Sequence, residues 1–259
     1  MKLHFFKYQA TGNDFILIDN RSGELRLSVE EIRLLCDRKF GIGADGLMLI
    51  EPHPSLSFSL NYYNSDGSQS LCGNGSRAAV CFASRLGIVS DNASFIAYDG
   101  AHDAQLLTNG LVRLNMNDVH EVIYFNQDVF IDTGSPHYIR FVDDVKNYPV
   151  AEEGRSIRYN AAFAERNGTN VNFVELLPGN TIYVRTYERG VENETLSCGT
   201  GVTAAALAAS QHGYTSPVTV KTPGGDLSVE FEKNRTDRSF TGIYLIGPAK
   251  MVFQGDLEL

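Results

Sequence analysis

Short segments in which apolar and polar residues alternate, or apolar residues run together, recur along the chain between clusters of turn residues. The runs LHFFKYQ, FILIDN, LMLIE, SFSLNYYN, VFIDTG, HYIRFV, TIYVRTYE and VTVKT are rich in β-branched and aromatic residues and predict strands. Asn109-Gly110, Pro178-Gly179-Asn180 and Gly224-Gly225 supply hairpin chemistry between such runs. Two stretches follow another rule. Gly75 to Leu86 and Gly201 to His212 are dominated by Ala, Val, Leu and Phe, and each stops at a glycine, Gly87 or Gly213, suited to the left-handed end of a helix. A helix that is apolar on nearly every side is one enclosed by the rest of the fold.

The two helical stretches are versions of one another. Cys72 opens CGNGSRAAVCFAS and Cys198 opens CGTGVTAAALAAS, with seven of thirteen positions identical. Other landmarks recur in the same order: TGNDF at Thr11 with TGSPH at Thr133, and GADG at Gly43 with GTNV at Gly168. The three offsets are 122, 125 and 126 residues, and a near-constant offset in constant order points to duplication. The expected architecture is α+β, with two pseudo-symmetric β-rich domains. Each is a curled mixed or antiparallel sheet around a central helix. The expected division runs 1–117, joined by the tail 249–259, and 118–248. No Pro/Gly/Ser-rich linker separates the halves, so they are expected to close around a cleft and to bring their equivalent loops face to face.

Composition narrows what such a protein does. Of the 259 residues 43% are hydrophobic, which excludes disorder, and the net charge of −9 argues against a nucleic-acid or anionic-membrane surface. No apolar run approaches a membrane span, and MKLHFFKYQATGNDF has no sustained apolar core and no small-residue cleavage site. A cytoplasmic location is the expectation. Four cysteines, Cys36, Cys72, Cys81 and Cys198, are too sparse for a disulfide framework, and none forms a C-x-x-C pair, so no structural metal is expected.

The reactive thiols are then sought by position. Cys36 in EEIRLLCDRKF and Cys81 in AAVCFA sit at packing positions. Cys72 and Cys198 precede helix starts, where backbone N–H groups and the helix dipole favour a thiolate and bind a carboxylate. Removing an α-proton from an amino acid requires donors aimed at the enolate-like carboxylate that develops. A thiolate taking a proton from one face, and a thiol delivering one to the other, would invert the carbon. One such cysteine alone is as readily a buried small hydrophobe. Two in duplicated Gly-flanked loops are not. The glycines (Gly73, Gly75, Gly199, Gly201) are read as clearing side chains so that a ligand can approach the backbone.

With these residues in view, the sequence resembles the diaminopimelate epimerase family over essentially its whole length. The resemblance is carried by TGNDF (11–15), GIGADG (41–46), NSDG…CGNG (64–75), GSPH (134–137), GTNVNF (168–173) and YERG…CGTG (187–201). It implies interconversion of LL- and meso-2,6-diaminopimelate without a cofactor, Cys72 and Cys198 as the two bases, and a homodimer. It further implies that Asn13, Asn64, Asn170 and Arg189 recognise the substrate's far end, and that backbone donors at Gly73, Asn74, Gly199 and Thr200 hold the reacting carboxylate. The chemistry suits that division, since an Arg fork matches a carboxylate and Asn carbonyls accept from an ammonium. Glu188 is suited either to hold the reacting ammonium or, with His137, to tune a thiol. Two positions depart from the family pattern. Gly46 stands where some members have Gln and offers no side chain. Ser135 stands where many have Asn and keeps one hydrogen-bonding group.

Plainer readings stand beside these. Asn13 and Asn64 flank turns that Asn often caps, Arg189 could pair at the surface with Glu188 or Glu192, and His137 could be a satisfied structural histidine. Proline racemases and phenazine-type isomerases share the expected fold. The polar set at Asn13, Asn64, Asn170 and Arg189 favours a longer substrate than proline, and the phenazine-type relatives lack the cysteine pair. GIGADG fits G-x-G-x-x-G, but a dinucleotide site needs a strand before and a helix after. Here helix-like VEEIRLLCDRKF precedes and strand-like LMLIE follows. No lysine lies in a motif loop to hold pyridoxal phosphate. A non-catalytic amino-acid-binding protein would not need both thiols.

Overall fold

The computed structural model describes residues 2–234, 236 and 239–258, which form two compact units. Unit 1 comprises Met1–Leu114 and Gly247–Leu259, and unit 2 comprises Asn115–Ile246. Unit 1 carries β1 (Lys2–Ala10), β2 (Asn13–Asp19), α1 (Val29–Cys36), β3 (Gly46–Glu51), β4 (Phe58–Asn64), α2 (Gly73–Arg85), β5 (Asn92–Ala97), β6 (Gly100–Leu106) and β7 (Val112–Asn115). Unit 2 carries β8 (Val122–Phe125), β9 (Asp128–Asp132), β10 (Pro136–Phe141), α3 (Val150–Arg158), β11 (Asn170–Leu177), β12 (Thr181–Glu188), β13 (Asn193–Thr195), α4 (Gly199–Ala209), β14 (Val218–Thr222), β15 (Gly225–Lys233) and β16 (Phe240–Gly247). The last strand, β17 (Lys250–Glu258), pairs with β1.

The duplication is legible in the strand order. In unit 1 the order β17-β1-β2-β3-β4-β5-β6-β7 is antiparallel throughout except at β2–β3 and β4–β5, which are parallel. In unit 2 the order β8-β9-β10-β11-β12-β14-β15-β16 has parallel pairings at the same two steps, β10–β11 and β12–β14. Seven successive pairings of matching sense bear out the repeat read from the cysteine loops. Each sheet is mixed, and each curls around one helix: α2 packs against β1, β2, β3, β4, β6 and β17, and α4 against β9, β10, β11, β12, β14 and β15.

The inner strands are buried on both faces, which explains their unbroken apolar runs. Ile16, Ile18, Leu47 and Leu49 pack with Ile32, Leu35 and Cys36 of α1. The alternate residues Phe15, Leu17, Met48 and Ile50 are also buried, and Met48 reaches the first turn of α2. The enclosed helices end as expected, Gly87 and Gly213 taking left-handed φ of 71° and 86°. In α4 every residue but Thr200 is buried, and its hydrophobic character is spread around the whole helix.

One helix escapes the sequence pattern. Segment 150–158 contains Gly154, a weak helix former. A Cβ at that position would lie 2.7 Å from Cγ of Tyr187, so the glycine is what lets α3 lie directly on β12. No helix among the described residues is long and apolar enough to cross a membrane.

Candidate active site

Each of the two candidate cysteines is the N-cap of its unit's enclosed helix. Cys72 precedes α2 and Cys198 precedes α4, both with extended backbone (φ −132° and −115°). The first-turn N–H groups, those of Gly73 and Asn74 in α2 and of Gly199 and Thr200 in α4, have no helical carbonyl one turn earlier to bond. All four cysteines are free of disulfides. Burial pushes the Cys36 and Cys81 thiols up to about 11, which makes both inert near neutral pH.

In unit 1 the Cys72 sulfur accepts from the Gly75 N–H at 3.4 Å and its S–H donates to Oδ1 of Asn13 at 3.5 Å. Asn13 opens β2 after a turn in which Thr11 and Gly12 both take positive φ. Its Nδ2 donates to Asp45 at 2.5 Å, which turns the amide oxygen toward the sulfur. Behind it Asp14 is paired with Lys7 and Arg38, which hold its carboxyl well below the usual range against the opposing cost of burial. Asn64 ends β4 and ties down the loop toward Cys72, donating to Ser68 and Ser70 and accepting from the Tyr62 hydroxyl at 3.1 Å.

Tyr62 also explains Gly46. A Cβ at Gly46 would lie 2.5 Å from the Tyr62 ring and 2.6 Å from the Tyr63 carbonyl, so the tyrosine occupies the room a side chain there would need. Gly46→Gln is expected to overpack this corner. The expected cost is about 1–3 kcal/mol of stability, read as a lower urea midpoint at unchanged slope.

In unit 2 the polar residues form a connected set. Asn170 opens β11, and its Nδ2 donates to Ser135 Oγ at 2.8 Å and to the Pro136 carbonyl at 3.0 Å. Its Oδ1 accepts from the Arg189 N–H at 2.8 Å. Ser135 thus holds Asn170 in place. Glu188 accepts from Thr195 at 2.9 Å. Thr133, at the end of β9, donates to the Thr200 carbonyl at 3.0 Å and anchors the cysteine loop.

A buried chain leads from the Cys198 sulfur into the core. The sulfur lies 3.5 Å from Thr200 Oγ1, and Thr200 Oγ1 lies 2.8 Å from His137 Nε2. His137 Nδ1 lies 3.1 Å from Asn172 Nδ2. Asn172 is orientated from both ends, because its Nδ2 also donates to the Tyr138 carbonyl and its Oδ1 accepts from the Thr186 hydroxyl. The amide N–H therefore faces Nδ1, and the ring proton sits on Nε2 and points at Thr200. His137 is fully buried, and burial, with the nearby Arg189 charge, lowers it to about 3. It is a neutral hydrogen-bonding link and reaches the thiol through Thr200.

The structure gives the second glycine of each loop a different role from the one its sequence suggested. A Cβ on Gly75 would meet Met48 Cε at 2.6 Å, and one on Gly201 would run into Asn172 Oδ1 and approach His137 at 3.2 Å. Packing within each unit accounts for both. Sequence reasoning also passed over Arg77, Asn172, Thr186 and Tyr62. Two signals were present: Arg77 is a charged residue in the first turns of a largely apolar helical stretch, and Asn172 alternates with Asn170 in a strand too apolar to carry two amides without purpose.

Two β-rich units of matching strand order, each curled around an enclosed helix, define a fold seen in several solved structures. A phenazine biosynthesis protein of the PhzF family from Bacillus anthracis matches with a TM-score of 0.78 and 14% identity, covering 100% of both chains. A hydroxyproline epimerase from Agrobacterium vitis matches with a TM-score of 0.72 and 14% identity, covering 100% of this chain and 93% of that one. Sequence comparison is more specific. The profile for diaminopimelate epimerase matches residues 5–122 and 129–252. The diaminopimelate epimerase of Flavobacterium psychrophilum is 48% identical over 98% of this chain and 99% of its own length, and that of Aquifex aeolicus is 39% identical over 99% and 98%. The chain belongs to the diaminopimelate epimerase family.

Proposed function

We propose that this protein interconverts LL- and meso-2,6-diaminopimelate, a step of lysine and peptidoglycan-precursor synthesis: of Cys72 and Cys198, one takes the α-proton from one face while the other delivers its own proton to the opposite face. The observation that carries the reading is that each of two duplicated units places a thiol at the N-cap of an enclosed helix. Inversion at carbon needs a base on one face and an acid on the other, and a thiolate and a thiol supply both. When the Cα–H bond breaks, its electron pair spreads into the substrate carboxylate. The N–H groups of Gly73, Asn74, Gly199 and Thr200 are the donors we assign to that charge. Base, acid and charge stabilisation all come from the chain, so the reaction needs no cofactor.

Asn13, Asn64, Asn170 and Arg189 are assigned to the far end of the substrate, with Ser135 acting by holding Asn170. Glu188 is suited to the reacting ammonium. His137 acts on Cys198 through Thr200. A cytoplasmic homodimer belongs to the same reading, and the exposed Met251, Val252 and Phe253 of β17 offer an apolar surface for a second copy.

The test is isotopic. In deuterium oxide the reduced protein is expected to exchange the α-proton of LL- or meso-diaminopimelate with solvent, followed by mass spectrometry, with nothing added. Exchange of proline in place of diaminopimelate would move the protein to the racemases of this fold.

A further inference from the structure

The turn 189–192 joins β12 to β13, whose last paired residues are Glu188 and Asn193. It carries Arg189, and it closes through the Glu192 N–H, which donates to the Glu188 carbonyl at 2.8 Å. Glu192 takes a left-handed φ of 58°, a conformation that strains a residue with a Cβ and persists where the surroundings dictate it. Its carboxylate shows what dictates it here. Oε1 accepts from the Gly190 N–H at 3.0 Å and from Arg158 Nε and Nη2 at 3.2 and 3.0 Å. Oε2 accepts from the hydroxyls of Tyr159 at 2.9 Å and Tyr187 at 3.3 Å. Against the cost of burial, the Gly190 N–H, Tyr159 and Arg158 hold this carboxyl below the usual range.

Arg158 ends α3 and is itself largely buried, its side chain 11% exposed. Its remaining nitrogen, Nη1, donates to the Asn167 carbonyl at 2.9 Å. Asn167 and Gly168 both have left-handed φ, 55° and 79°, and lead within two residues to Asn170. A Cβ at Gly168 would collide with the Arg158 guanidinium, so the chain passes there because Gly168 has none. The connections close a ring. It runs from Arg158 to Asn167, along the chain to Asn170, and from Asn170 Oδ1 to the Arg189 N–H at 2.8 Å. It returns along the turn to Glu192 and back to Arg158. Helix α3 is seated on β12 by Gly154 against Tyr187 and by Val150 in the apolar cluster, which leaves Arg158 to the two loops.

The duplicated unit shows the plainer way to build this turn. In strand order β4 is the counterpart of β12, and its turn toward Cys72 places Gly67 in the left-handed region, at φ 84°. There α1 reaches the turn through Arg33 Nε, which donates to the Asp66 carbonyl at 3.0 Å. Unit 2 has a glutamate where a glycine would adopt the backbone without strain. The side chain is what that position gains.

We propose that Arg158 and Glu192 are positioning residues for substrate recognition: their ion pair fixes the Arg189 turn against Asn170, and with it the fit to the charged end of the substrate remote from the reacting carbon. The inference rests on the assignment of Asn170 and Arg189 to that end. Neither Arg158 nor Glu192 is assigned to the reacting carbon, so loss of the pair is expected to weaken binding more than turnover.

Glu192→Gly removes the carboxylate and relieves the left-handed strain, so it separates the clamp from the backbone that carries it. In the isotopic assay it is expected to raise KM for diaminopimelate about tenfold while kcat falls less than about threefold. Arg158→Met is expected to do the same, and the double variant to be no worse than either single one, because each breaks the same ring. Amide hydrogen–deuterium exchange, followed by mass spectrometry, reads the ring without turnover. In Glu192→Gly the segment 167–170 is expected to lose protection together with 189–192, and in Arg158→Met likewise. An unmoved KM in folded Glu192→Gly, additive effects in the double variant, or unchanged exchange at 167–170 would overturn the proposal. Should Arg158→Met not fold, KM and amide exchange in Glu192→Gly decide alone. A parent inactive on diaminopimelate removes the epimerase reading, and amide exchange still decides whether the pair couples the two segments.

Discussion

Cys72→Ala and Cys198→Ala are each expected to lower epimerisation by at least about 10³-fold, because each removes an acid in one direction and a base in the other. The fold is expected to survive both. Cys72 contributes one long contact to the Gly75 N–H, so alanine costs a weak helix cap, about 0.5–1 kcal/mol. The Cys198 side chain makes no capping bond at the start of α4. The pair of measurements that matters is the diaminopimelate epimerisation rate beside the urea unfolding midpoint. A variant with near-parental rate would remove the two-base assignment, and a large loss of rate at preserved stability would support it.

The second large expected effect concerns stability and pH. His137 is fully buried and lowered to about 3, against an ordinary value near 6.5 in the unfolded chain. Above pH 6.5 both states hold a neutral imidazole, and the shift contributes nothing. As the pH falls below 6.5 only the unfolded chain takes up this proton, so stability falls by about 1.4 kcal/mol per pH unit until about pH 3. The accumulated loss approaches about 5 kcal/mol, a large share of a typical domain's stability. Asp14, whose carboxyl is held low by Arg38 and Lys7, adds its loss only at more acid pH. Urea midpoints between pH 7 and 4.5 are expected to decline in the parent and to decline much less in His137→Gln. An unchanged slope in that variant would remove His137 from the acid sensitivity of the fold.

The cysteine loops, the enclosed helices and the repeat were legible because their signals are local. A glycine stop, an apolar run of helical length or a Cys-Gly-x-Gly turn is decided by residues a few positions apart. The same holds for β2 and β3, whose unbroken apolar runs announce strands covered on both faces. Helix α3 was missed for the converse reason. Its central Gly154 weakens the local signal, and the benefit of that glycine lies in contact with Tyr187, 33 residues on.

The resemblance located Asn13, Asn64, Asn170 and Arg189, and the structure shows how two of them are held: Asn13 by Asp45, Asn170 by Ser135 and the Arg189 backbone. It gave no hint that Tyr62 takes the room at Gly46, because that follows from the register of β3 on β4, which sets Gly46 opposite Asn64 and Met48 opposite Tyr62.

The sequence by itself therefore determined the α+β class, the two like halves, the helix starts and the two thiols worth testing. Only the tertiary structure decided what surrounds each thiol. Cys72 meets Asn13 across 59 residues of chain, Arg77 meets Thr11 across 66, and Thr200 meets His137 across 63. Such contacts are fixed by strand register and by the curl of a sheet around its helix, which no window of neighbouring residues encodes.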